Sequence, residues 1–213
     1  HIVPNGITLD EWEGTPPALD AGPAMALATA RAAGRTVVGY AGSMGQPNAL
    51  DTLLDAAGLV RDLPFSFVLV GSGHEQARLA QRVRDEGLVH VHFLPPIPKA
   101  QVPSFLAGVD IAYIGWQRVP IYRFGIAPNK LMDYMMARCV VLHSVEAGND
   151  PVAEAGCGLT VPPESPAAVA QGLQQLAALP MAERQAMGAR GREFVLAKHT
   201  YTVLARRFLQ ALA

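Results

Sequence analysis

Cysteine is scarce in this sequence. Only Cys139 and Cys157 occur among its 213 residues, 18 positions apart. Two cysteines are too few for a disulfide framework, and their spacing does not match the C-x-x-C pair of redox or zinc sites. We therefore expect both to be small buried hydrophobic residues, as free cysteines commonly are. Their scarcity is also a weak indication of a cytoplasmic protein.

Charge of either sign is sparse, and neither sign dominates. The chain has 17 Lys and Arg against 18 Asp and Glu, a formal net charge of −1. A protein that neutralises phosphates usually shows a basic surplus, so we expect no nucleic-acid partner. No run of about 18 apolar residues is present, so no membrane-spanning segment is expected. The sequence opens on His1-Ile2-Val3, without an initiator methionine or a signal-peptide pattern, which predicts a fragment of a longer protein.

Apolar residues are plentiful, at 50% of the sequence, which excludes wholesale disorder. They alternate between short continuous runs, typical of buried strands, and runs with helical period. The alternation predicts an α/β protein: a three-layer α/β/α Rossmann-like domain over residues 24–213, around a five- to six-stranded parallel sheet. Residues 1–23 are expected to be a linker. Strands are predicted at 35–41, 65–70, 89–94, 111–114, 139–143 and 158–161, and helices at 24–34, 48–63, 75–86, 101–107, 128–137, 151–155, 165–178 and 181–198, the last extended by 203–213.

Two glycine-containing loops follow the first two predicted strands. In a parallel sheet, ligands bind beyond the carboxyl ends of the strands. Residues 42–45 read Gly-Ser-Met-Gly, which fits either the close approach of a phosphate or sugar to the backbone or an ordinary turn. Residues 71–73 read Gly-Ser-Gly and fit either a turn or the passage of a nucleotide base or ribose. Neither loop continues as a P-loop or as G-x-G-x-x-G.

A third segment, residues 122–133, leads into a predicted helix whose first turn carries Asn129 and Lys130. Free N–H groups at a helix start, together with a cation, make an anion site. A lysine there opposes the helix dipole unless an anion is bound, and the chain has only three lysines. Asp133 lies on the same helical face. It fits either an ion pair with Lys130 or a carboxylate that accepts hydrogen bonds from ribose hydroxyls.

Three histidines are candidate site residues. His90 and His92 share one face of a predicted strand, which could hold a metal, but no third ligand stands at a nearby spacing. We therefore expect no metal. His143 ends a predicted strand close to the candidate site and is a possible substrate contact.

Seven motifs in this order resemble a known family. The chain is similar to the C-terminal, donor-binding half of a group-1 (family 4) retaining glycosyltransferase of the GT-B fold, in a subgroup that builds bacterial surface polysaccharides. The motifs are P-N-G-I, G-Y-A-G-S-M-G, F-V-L-V-G-S-G, H-F-L-P-P-I-P, G-V-D-I-A-Y-I, F-G-I-A-P-N-K-L-M-D-Y-M and A-G-C-G-L-T-V-P-P.

The resemblance assigns roles to residues of this sequence. Ser43 and Asn48 stand where the family usually has an Arg and a Lys on the donor diphosphate, so Lys130 is the candidate replacement. Of the family's two glutamates, the ribose ligand aligns with Asp133 and the sugar ligand with Gly125. Side chains or backbone of residues 123–127 would then recognise the sugar. The implied set is Gly42, Ser43, Gly45, Asn129 and Lys130 for diphosphate; Asp133 for ribose; Gly71, Gly73, Leu94 and Ile97 for the base and nucleotide pocket; and Arg123, Phe124, Gly125, Ile126 and Ala127 for the donor sugar.

The resemblance also implies an activity. A hexosyl group would move from a nucleotide-diphospho-sugar, a UDP-sugar by preference, to a saccharide or lipid-linked acceptor held by an N-terminal domain outside this chain. The reaction would retain configuration and use neither a cofactor nor a metal, in line with the absence of a D-x-D pair. The chain alone would bind nucleotide without turnover, and the full-length protein would be cytoplasmic, with a membrane-associated form left open.

Two other functions remain as alternatives. A degenerate, non-catalytic GT-B-like partner domain would explain the missing Arg, Lys and first Glu. A dinucleotide-dependent oxidoreductase would share the fold class, but the absence of G-x-G-x-x-G after the first strand argues against it.

Overall fold

Six parallel strands form the centre of the protein in this computed structural model, which describes residues 3–212. Their order across the sheet is β3-β2-β1-β4-β5-β6, so the chain builds outward from β1 in one direction and then in the other. This confirms the predicted Rossmann-like sheet. The strands are β1 (Thr36–Ala41), β2 (Phe65–Val70), β3 (Val91–Leu94), β4 (Ile111–Gly115), β5 (Val140–Ser144) and β6 (Gly158–Thr160).

Helices cover both faces of the sheet, as near-continuous apolar strands require. On one face Leu53, Leu79 and Leu173 are buried; on the other Leu27 and Val195 are buried. The helices are α1 (Ala21–Ala32), α2 (Leu50–Leu59), α3 (Gln76–Asp85), α4 (Val102–Leu106), α5 (Asn129–Met136), α6 (Pro151–Ala155), α7 (Pro166–Ala178), α8 (Met181–Lys198) and α9 (Tyr201–Leu212). Both cysteines are free and buried, as expected.

The pairing of β1 with β2 brings the two glycine loops side by side. The strands run in register from Thr36 opposite Phe65 to Ala41 opposite Val70, so they end at the same level. Gly71 has φ +149, and a Cβ there would lie 1.9 Å from the carbonyl oxygen of Gly42. Only glycine fits this close approach of two backbones.

The amino-terminal segment packs on the carboxyl-terminal one. Ile7 is buried, its N–H donates to the carbonyl of His199 (2.9 Å), and it forms a parallel bridge with Thr200. The prediction that residues 203–213 extend the last helix is therefore wrong, because the bridged residue separates α8 from α9. Helix α1 also begins three residues before its predicted start, at Ala21. Residues 1 and 2 of the predicted linker and residue 213 of the predicted domain lie outside the described residues.

No helix within residues 3–212 has the length and apolar character that crossing a bilayer requires.

Substituting either of two helical glycines by alanine should have opposite effects on the stability of the fold. At Gly188 in α8, a Cβ would lie 2.0 Å from the carbonyl oxygen of Arg138, whereas a Cβ at Gly22 in α1 would meet nothing within 4 Å. We expect Gly188→Ala to destabilise the fold by about 1–3 kcal/mol through overpacking. Gly22→Ala should stabilise it by up to about 1 kcal/mol by restricting the unfolded chain. Urea unfolding of the two variants measures the difference, and equal stabilities would contradict the close packing of α8.

Candidate functional site

A cavity of about 600 Å³ opens at the carboxyl ends of the strands. Its walls are the loops that follow β1, β2 and β3 and the first two turns of α5. It lies beside the point where the strand order reverses, between β1 and β4, which is where open α/β sheets bind ligands. The lining residues are Ala41, Gly42, Ser43, Val70, Gly71, Ser72, Pro96, Ile97, Lys99, Val102, Asn129, Lys130, Asp133 and Tyr134.

Lys130 is a partly buried cation that lines this cavity. Its Nζ donates to Oδ1 of Asn48 (2.6 Å) and to the hydroxyl of Tyr40 (2.8 Å), and lies 4.5 Å from the centre of the Tyr40 ring. No carboxylate in residues 3–212 forms an ion pair with it, so the first of the two possibilities for Asp133, an ion pair with Lys130, is not what the structure shows. Burial lowers the pKa of Lys130 to about 8. The cation is thus held by neutral dipoles alone, which leaves its charge available to an anion.

Tyr40 and Tyr134 position this lysine and were missed by the sequence analysis. The Tyr40 hydroxyl donates to the carbonyl of Ser43 (2.5 Å), so the first glycine loop and Lys130 are tied to one buried ring. The Tyr134 hydroxyl accepts from the N–H of Ala41 (3.0 Å) at the end of β1. Burial raises the pKa of both tyrosines, so both remain neutral hydrogen-bonding groups. Their only signal in the sequence is a tyrosine within a buried strand and one within a buried helix face.

Asp133 is paired with Lys99, a third residue that sequence reasoning did not assign to the site. The Lys99 Nζ donates to both carboxylate oxygens of Asp133, at 2.7 and 2.6 Å, and lies 3.6 Å from Oε2 of Glu11. Burial raises the pKa of Asp133, and Lys99 opposes that rise. The two residues are 34 positions apart, so no local spacing announces the pair. In the sequence, the available indication that Lys99 belongs to the site was that lysine is rare in this chain.

The cavity gathers seven of the predicted site residues and leaves out the others. Gly45, Gly73 and Leu94 do not line it. A Cβ at Gly73 would lie 2.4 Å from the carbonyl oxygen of Met44, so this glycine lets the first two loops pack together. The predicted sugar-binding segment, residues 123–127, lines a different cavity. The seven residues brought together are Gly42, Ser43, Gly71, Ile97, Asn129, Lys130 and Asp133.

The histidines lie away from this cavity. His90 shares a hydrogen bond with the carbonyl of Ala57 (3.1 Å), and burial lowers its pKa. His143 is buried in β5, with Nδ1 3.1 Å from the hydroxyl of Thr160, and does not line the cavity. Within residues 3–212, no three His, Cys, Asp or Glu side chains come together as metal ligands.

Comparison with known families decides the relationship. A family model described as "Glycosyl transferases group 1" matches residues 35–178, more than half of the chain. The chain belongs to the group 1 glycosyltransferase family. The matched region includes every residue that lines the cavity.

Two named relatives of this group 1 glycosyltransferase chain come from bacteria. WcaI of Escherichia coli K12, named as a colanic acid biosynthesis glycosyl transferase, is 27% identical over 150 residues, 68% of this chain and 36% of WcaI. WbjE of Pseudomonas aeruginosa, named as a glycosyltransferase, is 23% identical over 149 residues, 68% of this chain and 37% of WbjE. The chain thus matches little more than a third of the length of these relatives.

Solved structures share the fold. Sucrose-phosphate synthase from Thermosynechococcus elongatus superposes with a TM-score of 0.78 at 23% identity, over 100% of this chain and 51% of the synthase. Anabaena HepE in complex with UDP-glucose gives 0.74 at 15% identity, over 97% of this chain and 55% of HepE. The C-terminal domain of LpcC from Francisella tularensis gives 0.68 at 17% identity, over 92% of this chain and 100% of that domain. The fold is one Rossmann-like domain of the GT-B type, as predicted.

Substituting each of the two lysines that line the cavity should have opposite effects on the stability of the fold. We expect Lys130→Met to leave the free energy of unfolding unchanged or higher at neutral pH, because it removes a desolvated charge. Lys99→Met should lower it, because the buried Asp133 carboxylate would lose its cation. The lowering of its pKa from 10.5 to about 8 means that keeping Lys130 charged costs the folded protein about 3 kcal/mol. The loss of the Lys130 hydrogen bonds in the variant offsets part of the gain from removing this charge.

Urea unfolding at several pH values measures both effects. Since the folded-state pKa of Lys130 lies below its unfolded value, the penalty is full below about pH 8 and disappears as the pH rises to 10.5. Between about pH 8 and pH 10.5, the free energy of unfolding of the native protein should therefore rise relative to that of Lys130→Met. If Lys130→Met destabilised as much as Lys99→Met, Lys130 would be a structural residue.

Proposed function

We propose that this chain is the donor-binding half of a retaining glycosyltransferase that moves a hexosyl group from a UDP-sugar to a saccharide or lipid-linked acceptor. The observation that carries the proposal is Lys130, a partly buried cation that faces the cavity from the first turn of α5 and pairs with no carboxylate of residues 3–212. Membership of the group 1 family and the HepE complex with UDP-glucose support it.

The donor diphosphate would lie against Lys130 and the start of α5. The first N–H groups of a helix have no partner within the helix and carry partial positive charge. Asn129 begins α5, so these groups and the Lys130 ammonium face the same cavity. Gly42 and Ser43 bring backbone to the opposite wall. The arrangement can neutralise a diphosphate although Ser43 and Asn48 replace the usual cations.

The nucleoside would occupy the remainder of the cavity. Asp133 already accepts two hydrogen bonds from Lys99, but a carboxylate has about four acceptor positions, so capacity remains for the ribose hydroxyls. Pro96 and Ile97 supply an apolar wall for the base. A volume of about 600 Å³ is within the usual range for small-ligand sites.

The chemistry follows from where charge develops. Breaking the bond between sugar and diphosphate creates negative charge on the leaving phosphate and positive charge on the sugar ring. We propose that Lys130 and the α5 N–H groups stabilise the leaving group, and that transfer needs neither a metal ion nor a cofactor. Retention of configuration is supported by the resemblance of the seven motifs. Because the attraction between Lys130 and the phosphate strengthens as negative charge develops on the leaving group, the site would favour the transition state.

The rest of the reaction belongs to the longer protein. We propose that an N-terminal domain holds the acceptor and that this chain alone binds nucleotide without turnover. The colanic acid role named for WcaI supports surface-polysaccharide synthesis as the setting. The proposal keeps a cytoplasmic location, with membrane association of the full-length protein where the acceptor is lipid-linked.

UDP binding tests the proposal. We expect calorimetry to detect UDP at micromolar to millimolar concentration, and Lys130→Ala to weaken binding by about tenfold or more, which is about 1.4 kcal/mol for one lost charge contact. Asp133→Asn should weaken UDP binding more than it weakens 2′-deoxy-UDP binding, because only the ribose has the full diol. Arg31→Ala is the control, since Arg31 is an exposed cation outside the cavity.

Two results would contradict the proposal. One is the absence of UDP binding at millimolar concentration, which would favour the degenerate partner domain. The other is UDP binding that Lys130→Ala leaves unchanged. Transfer activity of the full-length protein would remove the degenerate alternative.

A further inference from the structure

A second cavity, of about 590 Å³, lies on the segment that the sequence analysis assigned to the donor sugar. Its walls are residues 123–127, the start of α6, the end of α8 and one turn within α9. The residues that matter for its chemistry are Arg123, Phe124, Glu154, Lys198, His199 and Arg207.

The cavity has an excess of positive charge. Lys198 forms an ion pair with Glu154, so these two charges offset each other. Arg123 and Arg207 form no ion pair with any carboxylate of residues 3–212, and the Arg123 guanidinium lies 4.6 Å from the centre of the Phe124 ring. Two uncompensated guanidinium groups therefore line the same space, and a guanidinium fork fits a carboxylate with two parallel hydrogen bonds.

His199 adds an unsatisfied polar atom to this wall. The residue is only 9% exposed, and its buried Nδ1 has no hydrogen-bond partner in the described part of the chain. A buried polar atom without a partner costs free energy and calls for an explanation. This nitrogen is closed off from solvent, so the arginines alone carry the recognition of a ligand.

Four of the six backbone N–H and C=O groups of residues 125–127 already have partners. The N–H of Ile126 donates to Oδ1 of Asn149 (2.7 Å), and the carbonyl of Ile126 accepts from the Asn149 amide (3.0 Å). The carbonyl of Ala127 accepts from Asn5 (3.0 Å), and the N–H of Gly125 donates to the carbonyl of Tyr122 (2.9 Å). Of the two options left open for the sugar, recognition by backbone or by side chains, the structure favours side chains.

The position of this cavity suits a sugar attached to the diphosphate. Ala127 lines the second cavity, and Asn129, two residues later, lines the first. Two residues of extended chain span at most about 7 Å, so the two cavities are neighbours on one segment. The Phe124 ring is 69% exposed and offers an apolar surface to the face of a pyranose.

We propose that the second cavity binds the donor sugar and that this sugar is a hexuronic acid, whose carboxylate is held by Arg123 and Arg207. The inference rests on the proposed function, since the sugar arrives attached to UDP. A neutral hexose would leave both guanidinium groups without a partner.

Calorimetry with UDP, UDP-glucose and UDP-glucuronic acid tests the inference. We expect the acidic donor to bind about tenfold more tightly than UDP-glucose, the effect of one good charge-assisted contact. Arg123→Ala and Arg207→Ala should each bring the ratio of the two affinities close to one, with UDP binding unchanged. Arg206→Ala, a neighbouring exposed position on α9 outside the cavity, should leave the ratio unchanged.

The outcomes separate the two proposals. If UDP binds but the two UDP-sugars bind equally, or if both arginine variants keep the preference, this inference is wrong and the proposed function stands. If UDP does not bind, the proposed function fails first. Free glucuronic acid that binds to the UDP-saturated protein as tightly as the UDP-linked form would place the acid on the acceptor and overturn the assignment to the donor.

Discussion

The site depends on a partly buried lysine ammonium that lies against a tyrosine ring and has no carboxylate counter-ion within residues 3–212. Three parts of the fold meet at this point: β1 supplies Tyr40, the segment after it supplies Asn48, and the first turn of α5 supplies Lys130. These contacts hold the ammonium in a partly desolvated position. The proposed donor diphosphate would make this arrangement favourable.

Strands β1 and β2 end at the same level, and the cavity that Lys130 lines opens beyond these ends. The in-register pairing of these strands places two glycine backbones almost in contact, and the space beyond them is bounded by the loop after β3 and by α5. One turn along α5 from Lys130, Lys99 keeps the buried Asp133 carboxylate compensated. The cavity thus has a cation and a neutralised acid on the same helix. The proposed nucleoside diphosphate would meet both, through its phosphates and its ribose diol.

The features of the fold that depend on neighbouring residues were predicted from the sequence. Apolar runs predicted all six strands, and Lys130, singled out because it opposes a helix dipole, lines the cavity. The pairs that neighbouring residues do not determine were missed. Lys99 reaches Asp133 from another loop, Ile7 divides the last two helices by pairing with Thr200, and His199 and Arg207 reach the sugar segment from the end of the chain. Sequence spacing contains none of these contacts, because folding of the whole domain creates them.

Lysine NMR offers the most direct test of the central claim, since the chain has only three lysines and each signal can be assigned by a Lys→Arg variant. The ammonium of Lys130 should titrate with a pKa of about 8 in the free protein and move up toward its ordinary value of 10.5 when UDP is added. The signal of Lys198 should not respond to UDP. A Lys130 signal that titrates at its ordinary value in the free protein, or that ignores UDP, would contradict the account.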